Sequence, residues 1–573
     1  MEPWWKPGSA GGPKIRSNAN RGLCILLAVW VLVSLACSRT VNLPDGYTAT
    51  SWALQLTSVA PGAPIASPTP LEGLPILAQP EPTGQLPTPE AILPTQAPQN
   101  TAEAPTVEPS ATFPVPIETP EVQGGIGGGA DEANQVILYY AQAGDTVPVL
   151  AYRFDVDPAD ITSPKTLPLN DLITPNQLLL IPARLETTGP SGQVMPDSEV
   201  VYSSSAVNFD TAGFVQEAGG YLNSYKQELS TGMYTGAQVI DRVAIENSVN
   251  PRILLSILEY QSHWVYGQPE NLVEDDYPIG RIDYRHKGLY QQLSWAVSQL
   301  AIGYYGWRGG WVNSLDFPGP TYEDGMRLAP DLNAGTVALQ YLFAQLYNQR
   351  DWGGVLYNTD SFPALHERMF GNPWMRAQTV EPLYPTNLTQ PPRMLPFLPK
   401  HTWAFTGGPH SAWGPEGARA AIDFAPGTAE HGCAISNDWI TSMSDGLVVR
   451  SGNGIVTVDL DGDGYEQTGW VILYLHVRAE DRIPSGTVVA VNDRLGHPSC
   501  DGGVATGTHV HIARKFNGEW ILADGPVPFN LDGWIVHAGT APYIGTLTKG
   551  DQIKTANTFG SSETQVTRAE TTP

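Results

Sequence analysis

Across residues 38–130 the chain shows no hydrophobic period: the run PTPLEGLPILAQPEPTGQLPTPEAILPTQAPQN is dominated by Pro, Thr, Ala and Glu, and the segment closes on GGIGGG. A stretch of this kind cannot bury one face as a helix or a strand, so it reads as an extended linker, and whatever folds must do so as separate modules. The totals of 58 Gly and 51 Pro in 573 residues agree, being too many for a single core. Lys and Arg number 31 against 57 Asp and Glu, a formal net charge of −26. That charge repels a phosphate backbone and argues against nucleic acid as a partner.

Ahead of the linker, Lys6, Lys14, Arg16 and Arg21 precede an apolar run over residues 23–36 that ends in small residues before Cys37. This is the order of a signal peptide, and the run is short for a membrane span of about 20 residues. Ser34-Leu35-Ala36-Cys37 resembles a bacterial lipoprotein cleavage box, which implies acylation at Cys37; a signal anchor and plain secretion are the other readings. Each places the chain outside the cytoplasm, associated with the envelope or released. Of 4 Cys, two lie in this leader, leaving Cys433 and Cys500, which an exported chain is expected to pair.

Residues 137–183 carry a short strand, a helix start at Gly144-Asp145-Thr146 with Pro148 in the first turn, and a closing strand over residues 178–181. With Arg153-Phe154-Asp155-Val156 and the ending Asn176-Gln177 to Ile181-Pro182, the segment resembles a LysM module, though Asn176 stands where Gly is usual. The resemblance implies binding of N-acetylglucosamine-containing glycans.

Residues 208–375 read as helical, with Asn250-Pro251 as a cap and first helical position before Ile253, Leu254, Ile257 and Leu258. The segment VNPRILLSILEYQSHWV is similar to the first catalytic helix of lysozyme-like lytic transglycosylases, and Asn333-Ala334-Gly335 to a later one. That family's acid Glu is replaced by Gln261, before Ser262. An amide cannot protonate a glycosidic oxygen, and Glu246 and Glu259 are displaced along the helices, so a non-catalytic, glycan-contacting or spacing module is expected.

Beyond the Pro-rich joint PLYPTNLTQPPRMLPFLPK, short Val/Ile-rich runs broken by Gly, Asp and Pro predict an antiparallel all-β module. Of the chain's 11 His, residues 401, 410, 431, 476, 497, 509, 511 and 537 lie here. His509 and His511 are spaced to share one face of a strand, and Asp423 in AAIDFAP is a carboxylate that apolar surroundings would tolerate only beside a cation. Two His and one Asp suit a catalytic Zn²⁺. Gly407-Gly408-Pro409-His410, Asp423 and Thr506-Gly507-Thr508-His509-Val510-His511 resemble the β-lytic branch of the lysostaphin-type zinc endopeptidases. In the commoner branch the first His stands four residues before the Asp, where this chain has Arg419; the β-lytic pattern moves it to His410. The resemblance implies His410, Asp423 and His511 as metal ligands and His476 and His509 as catalytic histidines beside a zinc-activated water. His401, His431, His497 and His537 are taken as ordinary polar residues. Asp459, Asp461 and Asp463 imitate the opening of a Ca²⁺-binding EF-hand loop, but Trp470 fills the twelfth position and strands replace the helices, so a polar hairpin turn is preferred.

The expectation is therefore multidomain: leader or anchor 1–37, linker 38–133, βαβ-type LysM module 135–185, linker 186–206, mainly α lysozyme-like module 207–380, joint 381–394, all-β metallopeptidase module 395–548 and disordered tail 549–573. The function expected is peptidoglycan hydrolysis, with glycan held by LysM and peptide cut by the zinc module. The alternative is a catalytically silent wall-binding scaffold. Membrane contact is expected only through the N-terminus.

Overall fold

The computed structural model describes residues 135–185, 187–318, 325–385, 387–414, 416–427 and 432–570. The leader and long linker, which carry the signal-peptide, acylation and anchor expectations, lie outside them. Among the described residues no helix is long and apolar enough to cross a membrane.

The first module pairs β1 (Val136–Tyr140) antiparallel with β2 (Leu178–Pro182) and packs α1 (Val147–Phe154) on them. Thr146 caps α1 by accepting from the Val149 amide, and Leu150 and Phe154 pack with Leu179 and Ile181. Asp145 accepts from Tyr139 Oη at 2.6 Å and from Arg153 at 2.9 Å. Arg153 also donates to the Trp307 carbonyl at 2.8 Å and lies 4.2 Å over the Trp307 ring, which seats this module on the next.

That next module is built on α2 (Gly236–Asn247), α3 (Pro251–Ser262), α4 (Leu289–Gly309), α5 (Ala334–Leu346) and α6 (Phe362–Phe370). The caps predicted at Asn250 and Pro251 are present, and Gly303 on α4 leaves only 2.7 Å between an added Cβ and Tyr341, so α5 lies close against α4. The module starts earlier than 207. Residues 186–206, read as a linker, contain a short helix, Asp197–Val200, with Met195 and Val200 buried in the core. Asp197 accepts from the Gly335 amide at 2.7 Å and from Arg308 at 2.8 Å. Partners more than a hundred residues away hold this segment, so its own polar composition carried no sign of order.

The third module is one nine-stranded antiparallel sheet beside a four-stranded one. Among its strands are β3 (Thr402–His410), β4 (Ala421–Pro426), β5 (Gly446–Gly452), β6 (Ile455–Asp459), β7 (Trp470–Leu475), β8 (Val488–Val489), β9 (Val510–Phe516), β10 (Glu519–Trp520), β11 (Trp534–Ala538), β12 (Gly545–Lys549), β13 (Gln552–Thr555) and β14 (Gln565–Thr567); Asn530–Leu531 completes the four-stranded sheet. The large sheet runs β8-β5-β6-β7-β9-β4-β3-β14 with β10 on β9, and β11-β12-β13 belong to the small one. The tail expected to be disordered from 549 instead supplies β13 and the edge strand β14, with Val566 and Arg568 buried. Three buried side chains, Thr564, Val566 and Arg568, in a polar stretch are too few to raise a compositional signal.

Alternation divides the large sheet into two faces. Ile422, Phe424, Ile472, Tyr474, Val510 and Ile512 face the β module's own core. Ala421, Leu473 and Ala513 face the other way and share a single core with the helices. The turn between β9 and β10 enters the helical module: the Gly518 carbonyl accepts from Ser248 Oγ at 2.6 Å, Glu519 accepts from Tyr384 Oη and Tyr304 Oη at 2.9 Å, and Arg308 donates to it at 3.0 Å.

Candidate metal centre

β3 ends on His410, β4 carries Asp423, β9 carries His511 in its second position, and His476 follows the last residue of β7. In register His511 stands opposite Asp423 on one side and Leu475 on the other, and Asp423 stands opposite Gly407. A Cβ at Gly407 would strike the Asp423 carboxylate, so glycine is what lets that side chain stand over the sheet.

The three expected ligands converge. His410 Nε2 lies 2.9 Å from His511 Nδ1, and Asp423 Oδ1 lies 3.3 Å from each. Donors about 2.0–2.1 Å from one tetrahedral ion stand about 3.3 Å apart, so the group has the dimensions of a single Zn²⁺-sized site. Asp423 Oδ1 is buried and has no hydrogen-bond donor correctly aimed at it, the mark of an oxygen whose natural partner is a cation.

The remaining ring nitrogens explain why no N–H points at that oxygen. His410 Nδ1 donates to the Gly408 carbonyl at 2.8 Å, His511 Nε2 to Ala412 at 3.1 Å, His476 Nδ1 to Asp501 at 2.9 Å and His509 Nδ1 to Gly507 at 2.7 Å. A carbonyl only accepts, so these nitrogens carry the protons and the other nitrogen of each neutral ring offers a lone pair. His509 Nε2 is 3.7 Å from Asp423 Oδ1, and the His476 and His509 ring centroids are 4.4 Å apart. His476 adopts a φ of 67°, a left-handed conformation that marks a constrained position for a non-glycine residue.

Electrostatics match the geometry. Burial alone would raise the Asp423 carboxyl, but His410 and His509 beside it hold it well below the usual range. Burial opposes charge on His410, which Asp423 nevertheless raises above its ordinary value. Burial lowers His511, and burial together with His509 and His511 pushes His476 down to about 3. His476 is thus neutral across the physiological range.

Tyr543, which the sequence did not single out, stacks on His410 with centroids 4.1 Å apart and planes 18° apart. Its separation along the chain left no local signal. Cys433 and Cys500 are paired, Cα to Cα 5.7 Å, and Gly503 lies against the His476 ring. Arg419 is turned away, its guanidinium 5.2 Å over Trp311 of the helical module. His401, His497 and His537 bond to Pro399, Asp438 and Thr548 respectively, away from the ligands; His431 lies outside the described residues. The carboxylates of Asp459, Asp461 and Asp463 approach one another in the loop joining antiparallel β6 and β7, where they accept from the amides of Asp461, Asp463, Gly464 and Tyr465.

In the helical module Gln261 accepts from Tyr347 Oη at 3.2 Å, Glu259 accepts from the amides of Val265 and Tyr266, and Glu246 pairs with Arg242. These carboxylates are engaged in holding turns and helices. Ser256 Oγ, His366 and Glu199 form a relay at 2.8 and 3.1 Å that has the order of a nucleophile, base and acid. All three are 0% exposed, so no substrate reaches them, and the relay ties Asp197–Val200 to α3 and α6.

Fold and donors together define an antiparallel β module with a mononuclear His₂Asp candidate centre flanked by two further histidines. A family profile described as LasA, N-terminal domain, matches residues 193–385, the region that holds the helical module. Protease LasA of Pseudomonas aeruginosa strain PAO1 is 23% identical over 319 residues, covering 52% of this chain and 69% of that protein, and its counterpart in strain UCBPP-PA14 gives the same figures. Among solved structures, the deep-sea M23 metalloprotease pseudoalterin is 19% identical, over 29% of this chain and 96% of its own, at a TM-score of 0.25. Lysostaphin from Staphylococcus simulans is 20% identical, over 28% and 67%, at a TM-score of 0.17. The chain is LasA-like.

Proposed function

We propose that the chain is an extracytoplasmic zinc-dependent endopeptidase that cuts stem or cross-bridge peptides of bacterial peptidoglycan. One observation carries the reading: the buried, otherwise unpartnered Asp423 Oδ1 meets the lone-pair nitrogens of His410 and His511 at 3.3 Å. His410, Asp423 and His511 would hold the ion. When bound it supplies Lewis acidity toward a peptide carbonyl and brings the pKa of water beside it down toward about 7.

The protein's own groups divide the proton work. His476 and His509 each keep Nδ1 tied to a carbonyl and offer Nε2, so either is prepared to take the proton of the attacking water. The proton so gained is then available for the departing amine, and the ring left positive stabilises the oxyanion beside it. Sequence similarity to a protein named as a protease supports peptide hydrolysis. The resemblance of the first module to LysM supports attachment to the wall glycan, which raises local substrate concentration.

The test is release of new amino groups from purified peptidoglycan by the full chain, with and without chelator. The expected result is zinc-dependent release that His511→Ala loses together with the metal. His476→Ala or His509→Ala should keep stoichiometric zinc and lose release by roughly 10²- to 10⁴-fold. Stoichiometric zinc without release from several wall types would replace the enzyme with a wall-binding scaffold.

A further inference from the structure

The candidate ligands and the helical module share one face of the large sheet. Asp423, His511 and Leu475 form one cross-strand row; two residues further along the same strands, Ala421, Ala513 and Leu473 form the next, fully or almost fully buried under the helices. The helical core therefore begins one step, about 7 Å, from the donors.

One further contact reaches His511 itself, and others hold the far end of the strand that carries it. Its Nε2 donates to the carbonyl of Ala412, in the loop that joins β3 to β4. That loop rests on α4: Ala412 and Ala418 are buried in the shared core, a Cβ on Gly417 would come within 2.9 Å of Ala301, Gly414 lies beside Ser298, and Arg419 covers Trp311. At its far end β9, the strand carrying His511, continues into the turn whose Gly518, Glu519 and Trp520 are held by Ser248, Arg308 and Tyr305.

We propose that the helical module is a working part of the metal centre, in which Ala301 on α4 and the Trp311–Arg419 contact are positioning elements that hold the Ala412 carbonyl against His511. This rests on the reading of His511 as a ligand. An imidazole whose second nitrogen is fixed presents the other in one tautomer and one orientation; release of that bond makes both variable. The module thereby acts on metal affinity without touching the ion.

The experiment measures zinc affinity of the full chain by competition with a chromophoric chelator, and the d–d spectrum after cobalt substitution, for the parent, Ala301→Phe and Arg419→Ala. Ala301→Phe wedges the loop off α4 and should weaken zinc binding roughly 10- to 100-fold, with a changed cobalt spectrum. Arg419→Ala, which adds no bulk, should shift both in the same direction by a smaller factor. Circular dichroism confirms that each variant is folded at the temperature used, which separates affinity from unfolding. Folded variants with the parent's affinity and spectrum would overturn the proposal; a parent that binds no zinc would overturn the reading of the site, and this inference with it.

Discussion

Single residues in this chain are decided by their buried partners. Glu466 is the clearest case: burial alone would raise its carboxyl, yet Arg450 at 2.6 Å and Lys515 at 2.8 Å hold it at about 2. The folded value lies below the unfolded one, so the stability it contributes is complete above about pH 4.5 and is lost as pH falls toward about 2. The contribution is about 3 kcal/mol. Equilibrium unfolding of the parent should steepen in its pH dependence over that interval, whereas Glu466→Gln should start lower at neutral pH and lose much of that acid limb. An unchanged acid limb in the variant would show that other groups carry it. The five histidine and aspartate positions were legible for a different reason: the motifs around them resemble the β-lytic branch, and spacing by itself offered only that His509 and His511 can share one face and that Asp423 needs a cation beside it. Tyr543 and Glu466 were not, because their significance lies in contacts that no spacing encodes.

Among the elements, the turn between β9 and β10 has little freedom. Gly518 has a φ of 82°, and a Cβ there would collide with the backbone carbonyl of Tyr202. Gly518→Ala combines a disfavoured conformation with a clash against main chain and should cost about 2–4 kcal/mol, read as a lowered denaturation midpoint. Strand and helix periods made most elements legible, including the capped start of α3. The short helix Asp197–Val200 and the strands β13 and β14 were missed because each is brief and polar, held by distant partners such as Arg308 or by an existing sheet edge. Arg568 shows how strong such a hold is: it is 1% exposed and bonds to the carbonyls of Leu395 and Phe397.

At the scale of the whole molecule, the helical and β modules are one folding unit. The segment 381–394 reads from its prolines as a joint between modules, yet Leu383, Leu388 and Met394 are buried and Tyr384 bonds to Glu519. Proline frequency reports where regular structure stops, which is a different matter from where contacts stop. Calorimetry should therefore give a single transition for the two modules together, and a fragment of residues 395–570 should bind hydrophobic dyes and aggregate, since its Leu473, Leu475, Trp470 and Trp520 lose their cover. Two resolved transitions would contradict the shared core.

The alanines at the seam between sheet and helices carry a further consequence. Ala421 and Ala513 are 0% exposed at the seam, and each stands two residues from a candidate ligand on its own strand. A larger side chain at either position requires a matching loss on the helices, and a remodelled helix feeds back on the strands that carry Asp423 and His511. Grafting either half onto a different partner therefore disturbs this seam, and with it the strands that carry Asp423 and His511.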